Sequence, residues 1–534
     1  MTTPTRITTP PTRAPRAAAP SAAGTVDVAP AALPSPRDAV SLGEAPPAAP
    51  PPAHREPSAG TDGIGDPYYP QMGNGGYDAQ HYDIDLKVNV KANRVVGSST
   101  MDAVATQDLS SFNLDFRGFD IDKITVNGAE ATFSRKDGEL SVQPQTPIGN
   151  GEAFSVAVSY HGKPEPWSSV AAPADVGWKR CGDGICVDCE PDGASSWFPV
   201  NDHPRDKATF KISMDVPTGY QVASNGTLLQ TESSSDRTRY TWQSRDAMAP
   251  YLAMVQIGDY VRKDETSPGG VPIRNYFPPD KADAAAYDFG RQGEMIDYFS
   301  TLFGQYPFEA YGGVVVPRSS VGGALECQSM SLFDPFVVTG DRTYENVVAH
   351  ELAHQWFGDA VSVKNWKDIW LNEGFASYGE WLWQEKNQGA ASVDETARDV
   401  YNWLSRKDSG AAVTAEAEPE AVRKLRAAHG TPLEKSTSRA IVIGAPPPND
   451  IFDEQVYMKG ALVLYALRKD VGDDAFFNGL RAYVSQYSGG NAEIADFRDV
   501  MERVSGKPLG DFFNAWLYET KLPPFPGDAA RAAA

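Results

Sequence analysis

Long apolar runs are missing from this 534-residue chain, and no stretch approaches the roughly 18 residues that a membrane-spanning helix needs. No transmembrane segment is therefore expected. An excess of basic residues is missing too: 48 Lys and Arg stand against 70 Asp and Glu, a formal net charge of −22. Such a surface argues against nucleic acid and anionic membrane as partners and fits neutral or cationic ligands. The first residues, "MTTPTRITTPPTRAPRAAAPSAAG", lack the apolar core of a secretion signal. As written the chain reads as cytoplasmic, and as secreted if a leader is missing or replaced. Residues 1–66 are rich in Ala, Pro, Ser and Thr and poor in aromatics, so they cannot bury enough surface to offset their ordering entropy. A disordered tail is expected there. Cysteine is scarce as well. Cys181, Cys186, Cys189 and Cys327 permit two disulfides, one four-thiolate metal site, or free thiols.

Beyond the tail the chain is patterned. Tyr82, Ile84, Leu86, Val88 and Val90 alternate with Asp83, Asp85, Lys87 and Asn89, the period of a half-buried strand. Similar short segments, among them "FSVAVSYHG", "KATFKISMDVP" and "RTRYTWQS", are punctuated by Gly, Pro, Asn and Asp up to about residue 262. They predict an all-β sandwich or saddle-shaped sheet. The period then changes. "AAAYDFGRQGEMIDYFSTLFG" reads as helical, "AYGGVVVP" as a short buried strand, and most of the remainder as helix. A polar insertion rich in Pro and Gly over 407–450 is a candidate surface loop or lid.

Within the helical part, "NVVAHELAHQWFGD" sets His350 and His354 four residues apart, on one helical face and one turn from each other. A histidine pair at this spacing is most often an ordinary core or surface pair. Here the whole chain has only seven histidines, and these two bracket Glu351. Zinc needs a third protein ligand and one open position. "DIWLNEGFASYGEWLW" offers Glu373, separated from His354 by eighteen residues. A carboxylate among Trp370, Leu371, Phe375 and Trp381 is costly to bury unless it is paired or ligated.

The H-E-x-x-H pattern followed by this glutamate resembles the gluzincin metallopeptidases, specifically the M1 aminopeptidase family. The likeness runs over about 70–525 and includes "GGALE", "WFPVNDHPRDKATF", "VYMKGALVLYALR" and "DFFNAWLYETKLP". It implies an α+β multidomain fold: an N-terminal β domain over 67–262, a thermolysin-like, mainly α peptidase domain over 263–525, and a tail at 526–534. It further implies one Zn2+ per chain on His350, His354 and Glu373, with Glu351 as the general base and Tyr457 as the donor to the developing oxyanion. Glu326 and Glu190 take the places of residues that bind the substrate's free amino terminus, and Gly322, Gly323 and Ala324 those of a strand along the substrate backbone. The expected partners are peptides with a free N-terminus, acted on by a monomer. A zinc endopeptidase and a non-catalytic scaffold of the same fold are the competing readings.

The chain departs from the family pattern at Leu325, usually methionine, and at Cys327, usually asparagine. Cys189 precedes Glu190 and Cys327 follows Glu326. If the two glutamates converge, a Cys189–Cys327 disulfide is expected, with Cys181–Cys186 as the second pair. Asp359, five residues past His354, is a candidate to orient a ligand imidazole.

Overall fold

The structure, a computed structural model, describes residues 56–172, 174–318, 322–408, 418–428 and 439–528. Residues 1–55 of the expected tail and 529–534 lie outside the described residues. Order reaches further toward the N-terminus than expected. Ser58 and Ala59 pair in parallel with Leu109 and Ser111, and Asp66 is buried. The segment has few apolar side chains, but backbone pairing and the Asp66 carboxylate tie it down. That carboxylate accepts from the amides of Tyr68, Tyr69 and Trp366 and meets His203 Nε2 at 3.2 Å.

The period-two segments form an eight-stranded sheet centred on Tyr77–Asn89, which pairs antiparallel with Arg94–Ala105 and parallel with Ala208–Pro217. Tyr82, Ile84, Leu86 and Val88 face the core, fully buried. On the opposite face Asp83 and Asp85 pair with Lys211 and Arg239 at 2.9 and 2.6 Å. A four-stranded sheet holds the hairpin of Gly177–Cys181 and Gly184–Asp188, against Val255–Gly258 and then Gln221–Ser224. A five-stranded sheet runs Val261–Thr266, Pro272–Phe277, Tyr311–Val315, Ser331–Phe333 and, at its edge, Ala324–Leu325.

The stretch expected to be helical over 284–304 is so, as two helices, Ala282–Asp288 and Gln292–Phe303. The break has a tertiary cause. The Asp288 carboxylate accepts three backbone amides, from Thr339, Gly340 and Arg342, and Gly290 follows it. The insertion at 407–450 is not a plain loop either, since it contains the helix Glu420–Ala428, and Ile443 is fully buried beyond it. Its residues 409–417 and 429–438 lie outside the described residues. Among the described residues no helix is long and apolar enough to cross a membrane.

Two helices position the polar centre of the molecule, Trp370–Gln388 and Glu454–Val471. They meet backbone to backbone. A Cβ on Gly374 would stand 2.8 Å from the Gly460 Cα, and one on Gly460 would stand 2.6 Å from the Gly374 Cα. This contact brings Tyr457, one turn before Gly460, beside Glu373, one residue before Gly374. Neither main chain can yield as a flexible side chain would, so Gly374→Ala or Gly460→Ala should cost about 1–3 kcal/mol through overpacking. Thermal melts should show a lowered midpoint for each. Gly510→Ala, at a helical position where a new Cβ meets no atom within 4 Å, should match the parent. Unchanged midpoints for the two contact variants would refute the close approach.

Candidate metal and peptide site

The helix Glu345–Ala353 ends at His354, so both histidines occupy its last turn, with ring centroids 4.8 Å apart. Glu373 enters from the first turn of Trp370–Gln388. Its Oε2 lies 3.3 Å from Nε2 of His350 and 3.3 Å from Nε2 of His354. All three residues are buried. The outer nitrogens decide what the inner ones can do. His350 Nδ1 faces Glu380 Oε1 at 2.8 Å and His354 Nδ1 faces the Phe357 carbonyl at 3.0 Å. Both partners are acceptors, so each Nδ1 donates outward and each Nε2 faces Glu373, where it donates when the ring is charged and offers a lone pair when the ring is neutral.

The electrostatics reflects the concentration of carboxylates here. Burial pushes Glu373 up, but the His354 charge and hydrogen bonds from both imidazoles outweigh it and hold the carboxyl well below its usual range. Burial opposes charge on His354, yet Glu326 and Glu373 raise it to about 10. Burial likewise pushes Glu351 up, to about 8, with the Glu326 and Glu373 charges adding to the shift. The centre is thus rich in buried carboxylate and calls for positive charge. Two imidazole lone pairs and one carboxylate oxygen also match the donor set of a four-coordinate zinc with one position open. The residues present fit that ion.

The expected companions gather around this centre. Tyr457 hydrogen-bonds Glu373, and its ring stands 6.0 Å from that of His350. Burial first, then the neighbouring carboxylates, raise the phenol well above its ordinary range. The Tyr251 hydroxyl lies 3.5 Å from Glu326 Oε1. The Glu326 carbonyl accepts from Gln355 Nε2 at 2.7 Å, and Gln355 Oε1 accepts from the Ser329 amide at 2.7 Å. The residue after His354 therefore latches the "GGALEC" loop to the metal motif. Glu190 follows the Gly184–Asp188 strand. Burial and the charges of Glu326 and Glu373 raise it, so it belongs to the same cluster, and its buried Oε1 has no hydrogen-bond partner among the described residues. Gly323 exchanges hydrogen bonds with Asp334, and Ala324 pairs with Phe333, which leaves the other edge of that strand unpaired among the described residues.

Two expectations need correction. Cys181 and Cys186 are bonded, but Cys189 and Cys327 are free, buried thiols. They lie within electrostatic reach of each other. Convergence of the adjacent glutamates brings the chains together without setting the Cβ directions that a disulfide requires. Nor does Asp359 orient an imidazole. Its two carboxyl oxygens have no hydrogen-bond partner among the described residues, while Lys207 Nζ donates to its carbonyl at 2.7 Å. The residue that does orient an imidazole is Glu380, which the motif pattern did not single out. It stands two helical turns past Glu373, a spacing that could have revealed it. Asn346 Nδ2 steadies its other oxygen at 2.8 Å. Glu380→Gln keeps the shape and loses the charge, so zinc affinity should fall about 10–100-fold. Competition with a chromogenic chelator measures this, and an unchanged affinity would remove Glu380 from the support of His350.

Comparison with known proteins agrees with this geometry. Residues 287–516 match the Peptidase family M1 domain and 78–252 the Peptidase M1 N-terminal domain, together more than half of the chain. Among curated relatives, glutamyl aminopeptidase of Rattus norvegicus is 25% identical over 83% of this chain and 47% of its own length. Aminopeptidase N of Streptomyces lividans is 30% identical over 60% of this chain and 36% of its own length. The chain thus spans about a third to a half of these relatives. An M1 zinc metallopeptidase from Deinococcus radiodurans, solved as a mutant bound to a Tyr-Ser-Ala substrate, is 27% identical with a TM-score of 0.73. That alignment covers 87% of this chain and 99% of the other. With both domains matched in order and the metal-ligand geometry assembled, the chain belongs to peptidase family M1.

Proposed function

We propose that the chain is a zinc aminopeptidase that releases N-terminal residues from peptides, working with one ion per chain. The observation that carries this reading is the gathering of Glu190 and Glu326 beside His350, His354 and Glu373. A metal centre alone does not choose between internal and terminal bonds. Two buried carboxylates beside it do, because they pair with the ammonium of a free N-terminus and leave an acetylated one without its partner. This favours the exopeptidase over the endopeptidase reading, and the intact residue set argues against a scaffold. The division of labour is between a β-rich part over 67–262, which contributes Glu190, and the part over 263–525, which contributes the rest.

Zinc bound by the two imidazoles and Glu373 supplies Lewis acidity toward the scissile carbonyl and toward water. Glu351 is the base that takes the proton of the attacking water and later delivers it to the leaving amine. Tyr457, kept neutral by its buried surroundings, donates its hydroxyl to the oxyanion as charge develops there. The open edge of Ala324–Leu325 holds the substrate backbone in register with both.

A peptide with a free N-terminus and its N-acetylated twin, each incubated with and without a zinc chelator, test this reading. Only the free peptide should be cleaved, and the chelator should stop it. Equal cleavage of both peptides would overturn the assignment. Glu351→Gln should lower kcat about 10²–10⁴-fold while the protein keeps its zinc. Glu326→Ala should raise KM about 10–100-fold and blur the preference for a free amine.

A further inference from the structure

The two carboxylates that read the amine sit on separate chain segments, and a disulfide stands where those segments touch. Cys181 and Cys186 bridge the hairpin of Gly177–Cys181 and Gly184–Asp188 diagonally: Cys186 lies opposite Lys179, and Cys181 lies opposite Gly184. Glu190 follows this hairpin, four residues past Cys186. With Val316 the two cysteines form a small buried cluster separate from the main core. The Cys181 sulfur lies 3.6 Å from the Arg318 carbonyl oxygen, and a Cβ on Gly182 would stand 3.8 Å from both Pro317 and Arg318. The hairpin tip is therefore seated on residues 316–318.

Those residues lead directly to the other carboxylate. The Val316 amide donates to the Phe333 carbonyl at 2.9 Å, and Phe333 pairs with Ala324, two residues before Glu326. Elsewhere the hairpin is held by Trp178 Nε1 donating to Asn93 Oδ1 at 2.9 Å, Arg180 donating to the Lys91 carbonyl at 2.9 Å and the Tyr220 hydroxyl donating to the Asp183 carbonyl at 3.2 Å. Its inner strand pairs with Val255–Gly258 at a single position, Ile185 opposite Ile257, supplemented by Gln256 Nε2 donating to the Val187 carbonyl at 2.7 Å. The disulfide cluster is one contact between the arm bearing Glu190 and the arm bearing Glu326, at the hairpin tip.

We infer that the Cys181–Cys186 disulfide is a redox-sensitive positioning device that sets the spacing of Glu190 and Glu326, so that its reduction weakens amine recognition and leaves the hydrolytic centre intact. The inference rests on the aminopeptidase reading. The step is two-electron thiol–disulfide exchange. A dithiol attacks one sulfur, the S–S bond breaks, and the dithiol closes to its own disulfide. Two electrons and two protons pass to Cys181 and Cys186, which end as thiols. His350, Glu351, His354 and Glu373 lie on or at the end of the helices Glu345–Ala353 and Trp370–Gln388, not on the hairpin.

The test compares the holoenzyme, oxidised or treated with a phosphine reductant, with a C181S/C186S variant, zinc content being checked in each. Kinetics are followed on a free-amine peptide, and binding of a free amino acid amide and of its N-acetylated form by calorimetry. Reduction should raise KM and weaken amide binding about tenfold, as partial loss of a charge-assisted contact does, with kcat nearly unchanged. The variant should show the same shift without reductant and no response to it. Equal KM and equal binding before and after reduction would overturn the inference. So would a shift that reductant still produces in the variant, because the thiols acting would then be others. If the variant fails to fold, the reduced parent chain, with its fold followed by near-ultraviolet circular dichroism, decides alone. If the oxidised enzyme binds free and acetylated amides alike, the aminopeptidase reading fails and takes this inference with it.

Discussion

Buried negative charge is the constraint around which this molecule is arranged. Glu190, Glu326, Glu351 and Glu373 converge in one enclosed centre, where an unpaired carboxylate is expensive. His350 and His354 answer part of that charge and their geometry points to an ion for the rest. On the proposed reading, a substrate ammonium answers what remains at Glu190 and Glu326, and one electrostatic demand then accounts both for the metal and for the preference for a cationic chain end.

Holding such a cluster requires several segments to be locked together. Glu380 fixes the ring of His350, and the Phe357 carbonyl fixes that of His354. Gln355 joins the metal motif to the "GGALEC" loop through two short hydrogen bonds. The glycine contact between the Glu373 helix and the Tyr457 helix brings a phenol to the carboxylate it must sit beside. Each of these is a polar or steric detail with one arrangement. A purely apolar core would tolerate more variation at such points.

Much of this was legible in the residues. The period-two alternation of Tyr82 to Val90 marked the central strand, because a side-chain period of two has one buried solution. The four-residue spacing of His350 and His354 marked a shared helical face, and a lone Glu373 among tryptophans called for a ligand. Other features were not legible, because they depend on partners distant in sequence. The break at Phe289–Arg291 comes from a turn some fifty residues on that claims Asp288. The order of residues 58–66 comes from a parallel partner strand and from Trp366, not from local hydrophobicity. Asp359 stands five residues past His354 and Glu380 two helical turns past Glu373, and it is the helix packing that brings Glu380 to an imidazole.

The sequence by itself determined the chemistry available: two imidazoles and a carboxylate at ligand spacing, a base between them, and the strand and helix periods of the two halves. These are local properties, set by the geometry of one helix or one strand. Tertiary structure alone decided how the parts converge. It placed Glu190 and Glu326 in one electrostatic cluster, left Cys189 and Cys327 as free thiols, and set the Cys181–Cys186 bridge on the seam between their arms. Convergence depends on how separate elements pack, and spacing along a chain carries no measure of the distance between them.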